Sequence, residues 1–260
     1  MSANNNNSLE NTALNNKKIS IIGGGNMAQA LISGLIGCGV KPESITVADP
    51  SADIRQQLYA KGLTTVDPTA DAKAAITNAD LVVLAVKPQV MKAGVSGFAE
   101  ALDKQLIVSV AAGLTTAMLS DMLSGYQNII RAMPNTPAMI QMGATGLYAT
   151  DSITEEQKQL ATAAMEASGL VTWVDNEEHM HAVTAVSGSA PAYVFYFIES
   201  MVEKAVAQGL DKEQASALAM QTIMGAAKMA MESDDEPAEL RRKVSSPNGT
   251  TQAAIESMQA

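Results

Sequence analysis

The chain has a single cysteine, Cys38, so it cannot close an internal disulfide, and this fits a reducing compartment. Cys38 lies between Gly37 and Gly39 with no base beside it in the sequence, and no reactive thiol is expected. There are only two histidines, His179 and His181. They form a His-x-His pair, but no acid stands at a ligand spacing, so no metal is expected. No nucleophile elbow accompanies them, which argues against a Ser-His-Asp hydrolase. Basic residues are scarce, 17 Lys and Arg against 27 Asp and Glu, a net charge of −10. That balance argues against a nucleic-acid or anionic-membrane partner. No apolar run reaches the ~18–20 residues of a membrane span, and the first residues lack the basic and apolar regions of a signal peptide. A cytoplasmic protein is expected.

What is present fits a globular chain: 260 residues, 47% apolar and 17% charged, enough for one large domain or two. Residues 1–17 are rich in asparagine and are expected to be a disordered tail.

The stretch from Lys18 to Ala28 organises the rest. Ile19, Ser20, Ile21 and Ile22 read as a short buried strand, followed by Gly23, Gly24 and Gly25, then Asn26, Met27 and Ala28 opening a helix. This is Gly-x-Gly-x-x-Ala, the turn of a dinucleotide-binding βαβ unit. Gly23 permits the sharp turn. Gly25 lets a pyrophosphate approach the backbone, and the helix amides face that anion. A second strand follows and ends in Asp49, at the spacing of a ribose-binding acid. Asp49 favours NADH, whereas Ser51 and Arg55 suit the extra phosphate of NADPH.

From there short apolar runs alternate with amphipathic segments. Strands are expected at 19–22, 45–49, 64–66, 81–86, 106–110, 129–133, 144–149 and 170–174. Helices are expected at 27–37, 52–61, 70–78, 90–102, 116–123 and 154–168. This is the pattern of an α/β, Rossmann-type, doubly wound parallel sheet, whose ligands lie beyond the carboxyl ends of its strands. The segments there are Ala85-Val86-Lys87-Pro88, Val110-Ala111-Ala112, and the proline-stiffened loop that displays Asn135 and Thr136. Lys87 can serve a cofactor or stand as a solvated loop lysine. Trp173, the only tryptophan, is read as packing.

Beyond Asp175 strand signals stop. Residues 177–186, 190–208 and 212–231 read as helices rich in Ala and Met on nearly all faces, which predicts a helical dimer interface. A helix ends at Val244. The loop Ser246-Pro247-Asn248-Gly249-Thr250-Thr251 follows, and a new helix begins near Thr251. Hydroxyls, free amides and a helix start can receive a carboxylate, although an ordinary capped loop would look the same.

The stretch from Pro237 to Gln259 resembles the signature of pyrroline-5-carboxylate reductases. The resemblance runs through Ile22 to Met27, Ala85 to Pro88, Arg131 to Pro137 and Val186 to Tyr193, and covers residues 18–260. It implies hydride transfer from NADPH, or less often NADH, to the C=N carbon of 1-pyrroline-5-carboxylate, giving L-proline. Ser246, Asn248, Gly249, Thr250 and Thr251 then form the carboxylate receptor, with Thr251 catalytic at the ring nitrogen. Ile22 to Met27, Asp49, Ser51, Ala85 to Pro88, Val110 to Ala112 and Asn135 hold the cofactor. The resemblance further implies a homodimer, with the carboxylate loop of one subunit closing over the cofactor of the other, and larger rings of dimers. Members usually carry Gly where Asn248 stands, and usually continue past residue 260 as more helix. The expected organisation is therefore a tail at 1–17, a dinucleotide-binding domain at 18–175, and an all-helical substrate and dimerisation domain at 176–260, truncated at its end. A hydroxy-acid reductase of the same plan would need a lysine within 184–198, where there is none. The remaining alternative is a dinucleotide-binding regulatory or inactive subunit.

Overall fold

The computed structural model describes residues 12–259. Ile19–Ile22 form the strand β1, and all four residues are buried. On one side β1 pairs with β2 (Ile45–Ala48), which pairs with β3 (Thr64–Val66). On the other it pairs with β4 (Leu81–Leu84), then come β5 (Leu106–Ser109) and β6 (Ile129–Met133), all parallel. β7 (Gly143–Ala149) and β8 (Gly169–Trp173) complete an eight-stranded sheet of order 3-2-1-4-5-6-7-8.

The expected doubly wound parallel sheet is present, with one antiparallel step toward its end. β7 runs antiparallel to β6, and β8 runs parallel to β7. Residues 134–142 are too few for a crossover, which takes a dozen or more residues, so the chain turns straight back. A crossover through α6 (Glu155–Glu166) then brings β8 alongside β7. Thr154 caps α6 as part of a reciprocal capping box with Gln157.

Helices cover both faces. Ile19, Ile21, Val47, Val83 and Val108 face a cluster that takes in Leu31 and Leu35 of α1 (Asn26–Gly37) and Ala161 and Ala164 of α6. Ile22, Val82, Leu84 and Ile107 face the other cluster, with Met91 and Val95 of α4 (Met91–Ser96), Phe98, and Leu119 of α5 (Thr116–Met122). A strand that buries both faces reads as an unbroken apolar run, and β4 does.

Three expectations are corrected. The part of the tail at residues 12–17 belongs to the fold, while residues 1–11 lie outside the described residues. Thr12–Leu14 form a short 3-10 turn, and Leu14 is buried in the first core cluster because an apolar side chain there gains by leaving water. The helix expected at 70–78 is a single turn, α3 (Pro68–Asp71), and a 3-10 turn (Lys73–Ala75). The helix expected at 90–102 is α4 between 3-10 turns at Pro88–Val90 and Ala99–Ala101. Gly97 closes α4 where its bare Cα lies against Ala72; a Cβ there would stand 2.5 Å from the Cβ of Ala72. α2 is Ala52–Tyr59, capped by Ser51.

The described residues fall into two compact units, one ending at Pro191 and the other beginning at Ala192. In the first, α7 (His179–Val183) passes into a π-helical turn, Thr184–Gly188. α8 (Ala190–Ala207), α9 (Lys212–Glu232), α10 (Pro237–Lys243) and α11 (Thr250–Gln259) follow. Asp211 caps α9 by accepting from Glu213 N and Gln214 N. No residue of α8 is buried, and only Ala215 and Ala219 of α9 are. Phe195, Tyr196, Met220 and Met224 stand more than half exposed, at 63%, 71%, 53% and 59%.

Candidate active site

The carboxyl ends of the parallel strands fall level. Ile22 pairs with Ala48 and Leu84, Leu84 with Ser109, and Ser109 with Arg131. The segments beginning at Gly23, Asp49, Ala85 and Val110 therefore share one edge of the sheet. Strand order reverses at β1, the place where such sheets bind ligands.

Gly23 turns out of β1 with φ +100° and donates its amide to Ala48 O at 2.7 Å. A Cβ here would meet Ala85 O and Val86 Cγ1 at 3.0 Å each. Gly24 is enclosed, and a Cβ would meet Ile54 Cγ2 at 2.5 Å. At Gly25 a Cβ would meet nothing within 4 Å. Gly25 is the N-cap of α1 and no side chain caps that helix. The first amides of a twelve-residue helix thus open onto free space. This is the arrangement that receives a pyrophosphate, so the residues fit a dinucleotide. Asn26 is exposed and Met27 half-buried at the same helix start.

Asp49 is 8% exposed. Its Oδ2 accepts from Gly24 N and its Oδ1 from Ser51 N, both at 2.8 Å. The carboxylate therefore ties the glycine turn to the end of β2. Ser51 Oγ accepts from Ile54 N at 3.4 Å. Arg55 donates from Nη1 to Asp49 O at 2.7 Å and pairs through Nη2 with Asp67 Oδ2 at 2.9 Å. The Thr69 hydroxyl and amide hold the Asp67 carboxyl below its ordinary range, and Arg55 adds to this. All three residues expected to choose the coenzyme thus also brace one another.

Lys87 is exposed; its carbonyl accepts from Val90 N at 3.0 Å, and its side chain has no partner among the described residues. Ala85, Val86 and Pro88 are half-buried. Val110 N donates to Leu84 O at 3.1 Å, Ala111 is buried, and Ala112 is exposed beside Gly113, whose φ is +78°.

The expected display of Asn135 is corrected. It is 9% exposed, its Nδ2 donates to Ser187 O at 3.1 Å, and its Oδ1 accepts from Ala144 N at 2.9 Å. The π-helical turn packs against the ends of β6 and β7, and Asn135 satisfies a carbonyl there. Two glycines allow that contact. A Cβ on Gly188 would meet Met133 Cε at 2.4 Å, and one on Gly146 would meet Val183 Cγ1 at 2.5 Å. Thr136 is exposed as expected.

The second unit holds the other candidate site. Between α10 and α11, Gly249 N donates to Ser246 O at 3.1 Å, and Asn248 takes the left-handed backbone with φ +58°. Asn adopts that conformation more readily than most residues, so the turn survives without a second glycine. Asn248 N donates to Gln252 Oε1 at 2.9 Å, and Gln252 Nε2 donates to Glu256 Oε1 at 2.7 Å. The hydroxyls of Ser246, Thr250 and Thr251 are exposed and have no partner among the described residues.

Comparison with known proteins decides the family. The chain is 47% identical over 244 residues to the pyrroline-5-carboxylate reductase of Pseudomonas aeruginosa, covering 94% of this chain and 89% of that protein. The chain belongs to the pyrroline-5-carboxylate reductase family. A family model described as "Pyrroline-5-carboxylate reductase dimerisation" matches residues 177–260. Another, described as "NADP oxidoreductase coenzyme F420-dependent", matches residues 18–113. Among solved structures, a pyrroline-5-carboxylate reductase from Coxiella burnetii is similar with a TM-score of 0.86 and 41% identity, covering 94% of this chain and 91% of that one. The Plasmodium falciparum pyrroline carboxylate reductase, solved with NADP bound, is similar with a TM-score of 0.83 and 28% identity, covering 94% and 90%.

Among the described residues no group of His, Cys, Asp and Glu could hold a metal, and no helix is long and apolar enough to cross a membrane. Among the described residues the His181 side chain meets Glu178, at 3.8 Å on the surface. Trp173 packs as expected, donating Nε1 to Thr162 Oγ1 at 3.0 Å with Lys158 Nζ 5.8 Å from its ring centroid. Sequence reasoning assigned no role to Glu177 or Thr116, whose contact joins segments 61 residues apart that no local pattern links, nor to Gln252, whose partners Asn248 and Glu256 lie four residues away on either side.

Proposed function

We propose that this protein is the enzyme that reduces 1-pyrroline-5-carboxylate to L-proline, the last step of proline biosynthesis, with NADPH or NADH. The observation that carries this is the open glycine turn and uncapped helix at the sheet's switch point, in a chain of this family. A bound reduced nicotinamide coenzyme supplies the hydride. Gly23, Gly24, Gly25, Asn26 and Met27, following Ile22, would hold its pyrophosphate. Asp49 sets the turn through Gly24 N, and Ser51 and Arg55 would meet the adenosine ribose or its phosphate. Ala85, Val86, Lys87, Pro88, Val110, Ala111 and Ala112 would line the path toward the ring, with Asn135 bracing the far end.

Ser246, Asn248, Gly249, Thr250 and Thr251 would receive the substrate carboxylate at the start of α11. Thr251 would orient the ring nitrogen through its hydroxyl and relay to it a proton taken up from solvent. A protonated imine is already electrophilic, so no strong acid is needed and the gain comes from positioning and exclusion of water. The dinucleotide-binding domain spans 18–175 and the helical substrate and dimerisation domain 176–260 in this reading. The exposed apolar faces of α8 and α9 support a homodimer in which each active site draws on both subunits, with rings of dimers as the larger assembly. The enzyme works in the cytoplasm.

The test is an absorbance assay of purified protein with NADPH or NADH and pyrroline-5-carboxylate. Coenzyme oxidation with stoichiometric proline supports the reading. Tight coenzyme binding without oxidation overturns it in favour of a regulatory subunit.

A further inference from the structure

The region between β8 and α7 contains an acid that the proposed mechanism leaves unused. Glu177 Oε1 accepts from Thr116 N at 2.8 Å and from Arg131 Nη1 at 3.3 Å, and Glu177 Oε2 accepts from Thr116 Oγ1 at 2.9 Å. Thr116 and Arg131 are buried, at 8% and 5% exposure. One carboxylate thus joins the first residue of α5, the middle of β6 and the approach to α7. The pairing is charge-assisted and mostly shielded from water, the condition under which such bonds are strongest. Glu177 carries the only ionic contact of Arg131 among the described residues.

We propose that Glu177 is a positioning residue for hydride transfer: through Thr116 it fixes the segment 110–115, and so the place of the nicotinamide ring. The inference rests on the reductase reading above. The segment is anchored at one end by the sheet, where Val110 N reaches Leu84 O. At the other end Thr115 Oγ1 accepts from Met118 N at 3.2 Å and Glu177 takes Thr116 N. Between the anchors stand Ala112 and Gly113, exposed and without bulk, where a flat ring can lie against the backbone. Losing the α5 anchor frees those residues without touching the glycine turn or Asp49. Coenzyme affinity, set mostly at the pyrophosphate and adenosine, is then spared while the reacting geometry loosens. Displacement of a reactant by about 1 Å can cost a hundredfold in rate.

The experiment compares wild type with Thr116→Val, Thr116→Ser and Glu177→Gln. Glu177→Ala is avoided, because it removes the carboxylate oxygens that Thr116 and Arg131 use as acceptors and leaves a hole beside a buried guanidinium, whereas Glu177→Gln removes the charge but keeps an acceptor oxygen and the side-chain shape. Thr116→Val removes one hydroxyl donor at constant shape, and Thr116→Ser restores it. The expected result is a fall in kcat of about tenfold for Glu177→Gln and about threefold for Thr116→Val, with coenzyme Kd changed less than about twofold. The primary isotope effect from 4-deuterated NADPH rises in both, and Thr116→Ser returns kcat to near wild type. A lowered Tm with kcat and isotope effect unchanged overturns the proposal, as does a loss of coenzyme affinity in step with kcat. A wild type that reduces no substrate sinks the parent reading instead, so the two failures are distinguishable.

Discussion

The glycine turn after β1 and the loop before α11 are both candidate anion receptors built on a helix start, and they differ in how far the chain completes them. Around the turn the framework is held from within the chain, Gly23 N by Ala48 O, Gly24 N by Asp49, and Ala28 packed wholly out of solvent, so that only the helix start at Gly25 stays open. Around the loop, Ser246, Thr250 and Thr251 lie open, and elsewhere in the same unit α8 and α9 turn aromatic and methionine side chains to water. In the proposed reading the first receptor is complete within one chain, and the second, together with the exposed apolar helices of its unit, draws on a second subunit.

Charging the exposed helical face is the harshest way to break this comparison. Phe195→Glu with Tyr196→Glu is expected to give a monomer by light scattering and to reduce turnover to roughly 1% of wild type or less, while coenzyme still binds. Removing the hydroxyl proposed to meet the ring nitrogen is the next step down. Thr251→Ala is expected to lower kcat roughly 10–100-fold in steady-state assays, with coenzyme Kd nearly constant. Asp49→Ala strikes the finished receptor instead. It leaves two amides without their acceptor and is expected to weaken NADPH and NADH alike, about tenfold by titration. A shift in the NADPH to NADH ratio would show that Asp49 also touches the ribose. The smallest effect sharpens the contrast. Gln252→Ala releases Asn248 N and is expected to raise KM for pyrroline-5-carboxylate about threefold, leaving coenzyme binding untouched.

What could be read beforehand follows from how local each signal is. The first six strands, the glycine turn and the loop at 246–251 are written in consecutive residues, and the structure places them there within a residue or two. The reversal at β7 was readable in principle from the short connection after Met133, but residue type does not announce strand direction. Spacing alone marks Asp49 as the expected ribose acid, whereas its two amide partners depend on how the turn folds back over β2. Glu177 lies 61 residues from Thr116 and 46 from Arg131, and no periodicity connects them. Leu14 was hidden by its asparagine-rich neighbours, since one apolar residue in a polar stretch carries little pattern of its own.

The guanidinium of Arg55 reaches both Asp49 O and Asp67, and Asp49 in turn reaches back to Gly24. The first turn of the fold and the ends of β2 and β3 are thereby wired together before any nucleotide arrives. In the proposed reading the adenosine end of the coenzyme meets a surface already held by these contacts, which leaves little conformational freedom to surrender on binding. Coenzyme redesign at this end would meet a mechanical linkage, and a substitution made for selectivity would also be felt as a change in rigidity.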